Sequence, residues 1–207
     1  MLNLRDKEDQ KIFVTSDLHL GHQREFVWQD RGYASLAEHD AGVIHTINET
    51  VRPNDILFML GDLCLNTPMP QLDAHLDAIK CQNIYCLWGN HNNPHEKAIY
   101  RKLVPEGERY PVRYKNMVYY GHYLEAILNG QYAIMFHYPI YIFNEMKNGA
   151  WMLCGHSHYG CPMTQQDNTT GKILDVGWDG HARPYSLPEI SAIMSKKSIV
   201  AFDKHHR

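Results

Sequence analysis

The chain has 207 residues, 44% of them hydrophobic and 21% charged, with a formal net charge of -3. That is enough for one sizeable core and somewhat short for two, and it is too apolar for a disordered chain. A dedicated nucleic-acid-binding domain is usually basic, because neutralising phosphates supplies most of its affinity, so strong nucleic-acid binding is not expected.

Cysteine usage and the chain start point to a compartment. Cys64, Cys81, Cys86, Cys154 and Cys161 are odd in number, and neither close pair has the two-residue spacer of a zinc ribbon. They read as reduced, mostly buried thiols of a cytoplasmic protein. Residues 1–10 are charged and lack the apolar stretch of a signal peptide. No segment approaches the ~18 to 20 apolar residues of a membrane span, so no membrane partner is expected.

In chain order, residues 11–16 predict a buried strand, with Ile12, Phe13 and Val14 in a row. Residues 35–51 predict a helix. Ser35 and Glu38 have capping-box spacing, and Leu36, Val43, Ile44, Ile47 and Val51 recur at helical intervals. Residues 55–60 are a second apolar strand, 70–80 a second helix and 83–88 a third strand. Segments 117–128 and 131–136 flank Asn129-Gly130, a hairpin turn signal. Short strands follow at 151–154 and 172–176. A helix is expected over 186–197, where Ser186 and Glu189 repeat the capping spacing, and an edge strand over 198–202. Alternating strands and helices predict a layered α/β fold. No linker or repeat interrupts the chain, so residues 1–207 form a single domain.

The chemistry follows the strands. The first ends in Asp17-Leu18-His19, the second in Gly61-Asp62, the third in Gly89-Asn90-His91, the hairpin in His137, and the next strand in Gly155-His156-Ser157-His158. In open α/β sheets, ligands bind beyond the carboxyl ends of strands. Singly, each residue has an ordinary role: a helix cap, a turn, a satisfied histidine. Five such segments at strand ends argue for one site. In extended chain, residues two apart point the same way, so Asp17 and His19 grip one ion, and His156 and His158 reach one site. The mixed imidazole, carboxylate and amide donors, without thiolate, suit Mn, Fe, Zn or Ni.

That ordered set resembles the calcineurin-like metallophosphoesterase superfamily over residues 12–158. It is closest in pattern to the small stand-alone bacterial and phage-type members with an Asp-Leu-His-Leu-Gly-His opening. The resemblance implies a sandwich of two mixed β-sheets flanked by helices. It also implies two divalent metal ions, Mn foremost. Asp17, His19 and His158 would hold one ion, and Asn90, His137 and His156 the other, with Asp62 bridging. His91 would face the scissile group. The segment Leu63-Cys64-Leu65-Asn66 and the residue Asn92 set the chain apart from the Ser/Thr protein phosphatases of that superfamily.

The implied activity is hydrolysis of a small nucleotide-like phosphodiester or monoester. The alternatives are a nuclease acting on short single strands and a non-catalytic binding module on the same fold. His22 is a second catalytic candidate, resembling a substrate-facing position in some relatives. Arg24 and Arg183 are candidate substrate-binding cations, and Asp175, Trp178 and Asp179 lie where they could shape a pocket. The tyrosines from Tyr110 to Tyr123, interleaved with Arg109, Arg113 and Lys115, make either a base-stacking surface or an ordinary aromatic face. Oligomeric state is not legible.

Overall fold

The computed structural model describes residues 1–92, 98–99 and 111–200. Arg109, Tyr110 and residues 201–207 lie outside them.

A six-stranded sheet carries the first half of the chain. Its parallel centre comprises β2 (Ile12–Thr15), β3 (Ile56–Met59), β4 (Asn83–Cys86) and β6 (Met117–Tyr119). β5 (Val112–Tyr114) and β11 (Tyr185–Ser186) close its two edges antiparallel. A five-stranded sheet is ordered β1-β7-β8-β9-β10, from β1 (Leu2–Leu4), β7 (Tyr123–Leu128), β8 (Gln131–Phe136), β9 (Trp151–Cys154) and β10 (Ile173–Asp175). Only its β7–β8 hairpin is antiparallel. The helices are α1 (Glu25–Asp30), α2 (Leu36–Thr50), α3 (Met69–Ala78), α4 (Trp178–His181) and α5 (Leu187–Ser195).

The alternation of side chains along strands sorts the core into layers. In β3, Ile56 and Phe58 face the second sheet, where they meet Leu124, Ala126, Met135 and Leu153. Leu57 and Met59 face the other way, onto Val43 and Ile47 of α2 and Leu72 and Leu76 of α3. In β9, Leu153 points between the sheets, while Met152 and Cys154 form a smaller outer cluster packed by Ile140 and Phe143. α5 sends Leu187, Ile190 and Met194 into the layer between the sheets. The architecture is therefore an α/β sandwich of two mixed sheets flanked by helices.

The caps follow the expected spacing. Ser186 and Glu189 form a complete capping box at α5. At α2, Ser35 Oγ accepts from Glu38 N, but the Glu38 carboxylate turns to the Ala34 N–H instead of Ser35. The strand expected over 117–128 is two strands in different sheets. Gly121, at φ 88°, turns the chain between them, and its carbonyl accepts from Trp88 N. Ser198 makes a single bridge to Thr170, so no strand forms over 198–200. The tyrosines serve packing: Tyr119 stacks on Trp88 at 4.0 Å, Tyr120 meets Tyr85, and Tyr114 donates to Asp73.

Arg183 does not reach the strand-end residues. Its guanidinium donates through both terminal nitrogens to Glu189, tying the start of α5 to the preceding turn. That pairing holds the Glu189 carboxyl down to about 2. A carboxyl depressed on folding contributes stability above its unfolded value of ~4.3, and the contribution disappears as pH falls from there toward about 2. Glu189→Gln should therefore flatten the loss of stability across that acid window. Urea midpoints at stepped pH check this, and an unchanged acid limb would contradict it.

Candidate metal centre

β2, β3 and β4 end on the same edge of one sheet, and β8 and β9 end beside them from the other. The loops beyond are laced together by backbone bonds. Asp17 N donates to Gly61 O, His19 N to Asp62 O, Leu20 N to Leu63 O, and Gly155 N to His137 O. Gly89 and Gly155 permit this closeness: a Cβ at 89 would lie 2.1 Å from Asp62 Oδ1, and one at 155 would lie 2.2 Å from Asp17 Oδ2.

Two groups of ligand-type side chains result. Asp17, His19 and His158 converge in one, and Asp62, His137 and His156 in the other. Asn90 Oδ1 joins the second, 3.0 Å from both His137 Nε2 and His156 Nδ1. Asp62 Oδ2 faces both groups, 3.2 Å from His137 Nε2 and 4.0 Å from His19 Nε2. The extended-chain reading of the motifs is overturned. Asp17, His19, Asp62, His156 and His158 all have φ between 47° and 69°, a left-handed conformation sparsely used by such residues and concentrated at functional sites. His156 and His158 accordingly face different groups.

The donor chemistry fits cations. His137 Nδ1 sits 3.0 Å from the Leu60 carbonyl, which can only accept, so Nδ1 carries the hydrogen. In the neutral ring Nε2 is then a lone pair facing the oxygens of Asp62 and Asn90. His158 Nδ1 lies 2.8 Å from Asp179 Oδ2, which aims its Nε2 at His19 Nε2, 3.2 Å away. Asp17 is fully buried: Oδ2 accepts from His156 N, while Oδ1 has no hydrogen-bond partner among the described residues. Inward-facing acceptors are costly to bury unless a proton or a cation offsets them, and this imidazole, carboxylate and amide set suits a divalent cation.

Protonation reflects the same crowding. Burial pushes the Asp17 carboxyl up to about 6, against the pull of His137 and His158. Burial also works against the charge of Asp62, but the neighbouring His137 ring and the His91 N–H outweigh it and hold that carboxyl low. Burial drives His19 well below the ordinary imidazole range. Burial opposes charge on His137 too, and the Asp62 and Asp17 carboxylates overcome it and raise the ring. The Asp179 carboxylate raises His158.

His91 lies beside the groups without belonging to either. Its N–H donates to Asp62 Oδ1, its Nε2 is 3.9 Å from Asp62 Oδ2, and 38% of its side chain is exposed. His22 is buried, and its ring meets those of His19 and His91 edge-on at 5.3 and 6.4 Å. Its Nδ1 accepts from Arg24 N. Arg24 itself is exposed, at the start of α1.

Supporting residues carry the loops. Arg31 donates to the Asp17 and Leu18 carbonyls and, in a two-pronged pair, to Asp179. Asp40 accepts the Gly21 N–H with both oxygens and meets His39. Asn92 Oδ1 accepts from Asp62 N and Gly89 N, joining the second and third motifs. Asp175 accepts from Ser157 Oγ, Tyr159 N and Gly177 N, so it shapes the last motif loop. Arg31 and His39 went unread from the sequence, and Asn92 was read only as a departure from the protein phosphatases, not as a link between motifs. Asp40 left a signal, since it shares the buried face of α2 with Val43 and Ile47.

No protein-family model matches the chain. Over 88 residues it is 30% identical to "Uncharacterized protein MJ1445" of Methanocaldococcus jannaschii, covering 42% of this chain and 50% of that protein. Over 87 residues it is 33% identical to "Gene 66 protein" of Mycobacterium phage D29, covering 41% of each. The chain thus spans half or less of the length of these curated relatives. In fold it is similar to the crystal structure of AQ665, a protein of unknown function from Aquifex aeolicus. That likeness has a TM-score of 0.63 at 16% identity, covering 89% of this chain and all of the other.

Asp179 orients His158, and such supporting contacts typically govern metal affinity by ~10 to 100-fold. Asp179→Asn should weaken Mn binding at the Asp17/His19/His158 group by that order and leave the other group unaltered. Titration calorimetry checks this, and two unchanged affinities would contradict it.

Proposed function

We propose that the chain is a dinuclear-metal-dependent phosphoesterase, hydrolysing a small nucleotide-like phosphodiester or monoester. One observation carries the reading. Asp62 Oδ2 is shared between two groups of metal-ligand side chains, while a half-open histidine, His91, flanks the same carboxylate without joining either group. Asp17, His19 and His158 would hold one divalent ion, Asn90, His137 and His156 the other, and Asp62 both. Mn is the first expectation, with Fe, Zn and Ni chemically compatible. When bound, such ions supply Lewis acidity that polarises a phosphoryl oxygen and makes hydroxide available near neutral pH.

The chain's own groups do the rest. Asp62 anchors the His91 backbone, which fixes the ring beside the shared carboxylate. From there His91 donates a hydrogen bond or proton to the departing oxygen. In neutral His22, the N–H from Arg24 occupies the Nδ1 lone pair, so the ring proton resides on Nε2. His22 therefore acts as a hydrogen-bond donor toward phosphoryl oxygen, not as a base. Arg24, exposed beside it, adds positive charge to attract the substrate.

A reducing, cytoplasmic setting belongs to the same reading, supported by five free cysteines, four of them buried. Among the described residues no helix is long and apolar enough to cross a membrane.

A chromogenic phosphodiester and the matching monoester, each with added Mn, provide the test. Asp62→Asn should abolish turnover and lower metal content. His91→Ala should retain both metals and lower kcat by ~10² to 10⁴. Full activity in His91→Ala would remove that residue from the mechanism. Tight metal binding with no turnover of either ester would favour the binding-module alternative.

A further inference from the structure

Resting on the phosphoesterase reading, we infer that a cavity beside the metal centre binds the base of the substrate, and that the base is guanine. The cavity has a volume of about 390 Å³ and is lined by Phe26, Val27, Asp30, His158 and Asp179. That lies within the ~300 to 1,000 Å³ of ordinary small-molecule sites. One wall, His158, belongs to a metal-ligand group. Whatever occupies the cavity therefore adjoins a phosphoryl group held at the centre.

The lining specifies the occupant. Phe26 is 56% exposed although it is aromatic, and its ring meets His22 edge-on at 6.0 Å. His22 in turn contacts His19 and His91. Phe26 and Asp30 are four residues apart on α1, so they present one face. An exposed ring offers a stacking platform for a planar group. Carboxylates only accept hydrogen bonds. The Asp179 oxygens already accept from Arg31 and meet His158, which leaves Asp30 to read the occupant's edge. A planar group with two adjacent N–H donors matches one carboxylate, and among the common bases guanine provides that pair.

The test compares p-nitrophenyl esters of guanosine, inosine and uridine 5′-phosphates with the base-free methyl p-nitrophenyl phosphate. Binding of free guanosine is followed separately by saturation-transfer NMR. Wild type should prefer the guanosine ester. Phe26→Ala should raise its KM on the order of tenfold and spare the base-free ester. Asp30→Asn should erase the preference for guanosine over inosine, which lacks the second donor. Both positions are exposed, and melting temperatures confirm that the variants fold. Cleavage of all esters alike, or a base preference untouched by Phe26→Ala, overturns the subsite and leaves the phosphoesterase reading intact. Failure to cleave any ester, with guanosine bound by wild type and lost in Phe26→Ala, overturns the phosphoesterase reading and supports the subsite. Guanosine bound by neither protein counts against the subsite.

Discussion

The structure depends on a set of electron-pair acceptors turned toward one another at a site with buried carboxylates and an exposed rim of His156 and His158. Asp17 and Asp62 are buried carboxylates, and His137 and His158 aim lone pairs inward because their other nitrogens are bonded to Leu60 O and Asp179. Left alone, such an arrangement is repulsive and poorly solvated. The scaffold is built to hold it together, which is why so much local geometry at the strand ends departs from the usual. Five of the converging side chains sit on left-handed backbone, and two glycines leave room for the carboxylates and nothing more.

The surrounding polar network follows from that constraint. Arg31, with 6% of its side chain exposed, supplies fixed positive charge behind the first motif. It grips the carbonyls of Asp17 and Leu18, and through Asp179 it sets the orientation of His158. A single side chain therefore couples the first motif to the last across most of the sequence. Asp40 does similar work on the Gly21 loop, and Asn92 links the Asp62 and Gly89 turns. Each contact converts loop backbone into a rigid frame.

The fold was legible wherever hydrophobic period and cap chemistry agreed. β3 and β9 read as short apolar runs because both faces are buried, and α5 announced itself through Ser186 and Glu189. The break inside 117–128 was not legible. Its apolar pattern continues across Gly121 although the chain changes sheets there. α1 was missed because its six residues bury only Val27. With it went Arg31 at its end, and with Arg31 the support of His158. The converging residues themselves were readable as Asp, Asn and His following apolar strands. The way they converge was not, since a two-residue spacing suggests extended chain and carries no hint of left-handed backbone. The pairing of Arg183, a cation after the last motif, with Glu189 at the start of α5 was not legible either.

The proposed dinuclear centre requires two cations to share the Asp62 carboxylate. Electron paramagnetic resonance of the protein titrated with Mn²⁺ tests it most directly. Two ions bridged by one carboxylate should give an exchange-coupled, multi-line spectrum that saturates at two Mn per chain and collapses in Asp62→Asn. A simple six-line signal from one isolated Mn per chain, unaltered by that substitution, would contradict the account.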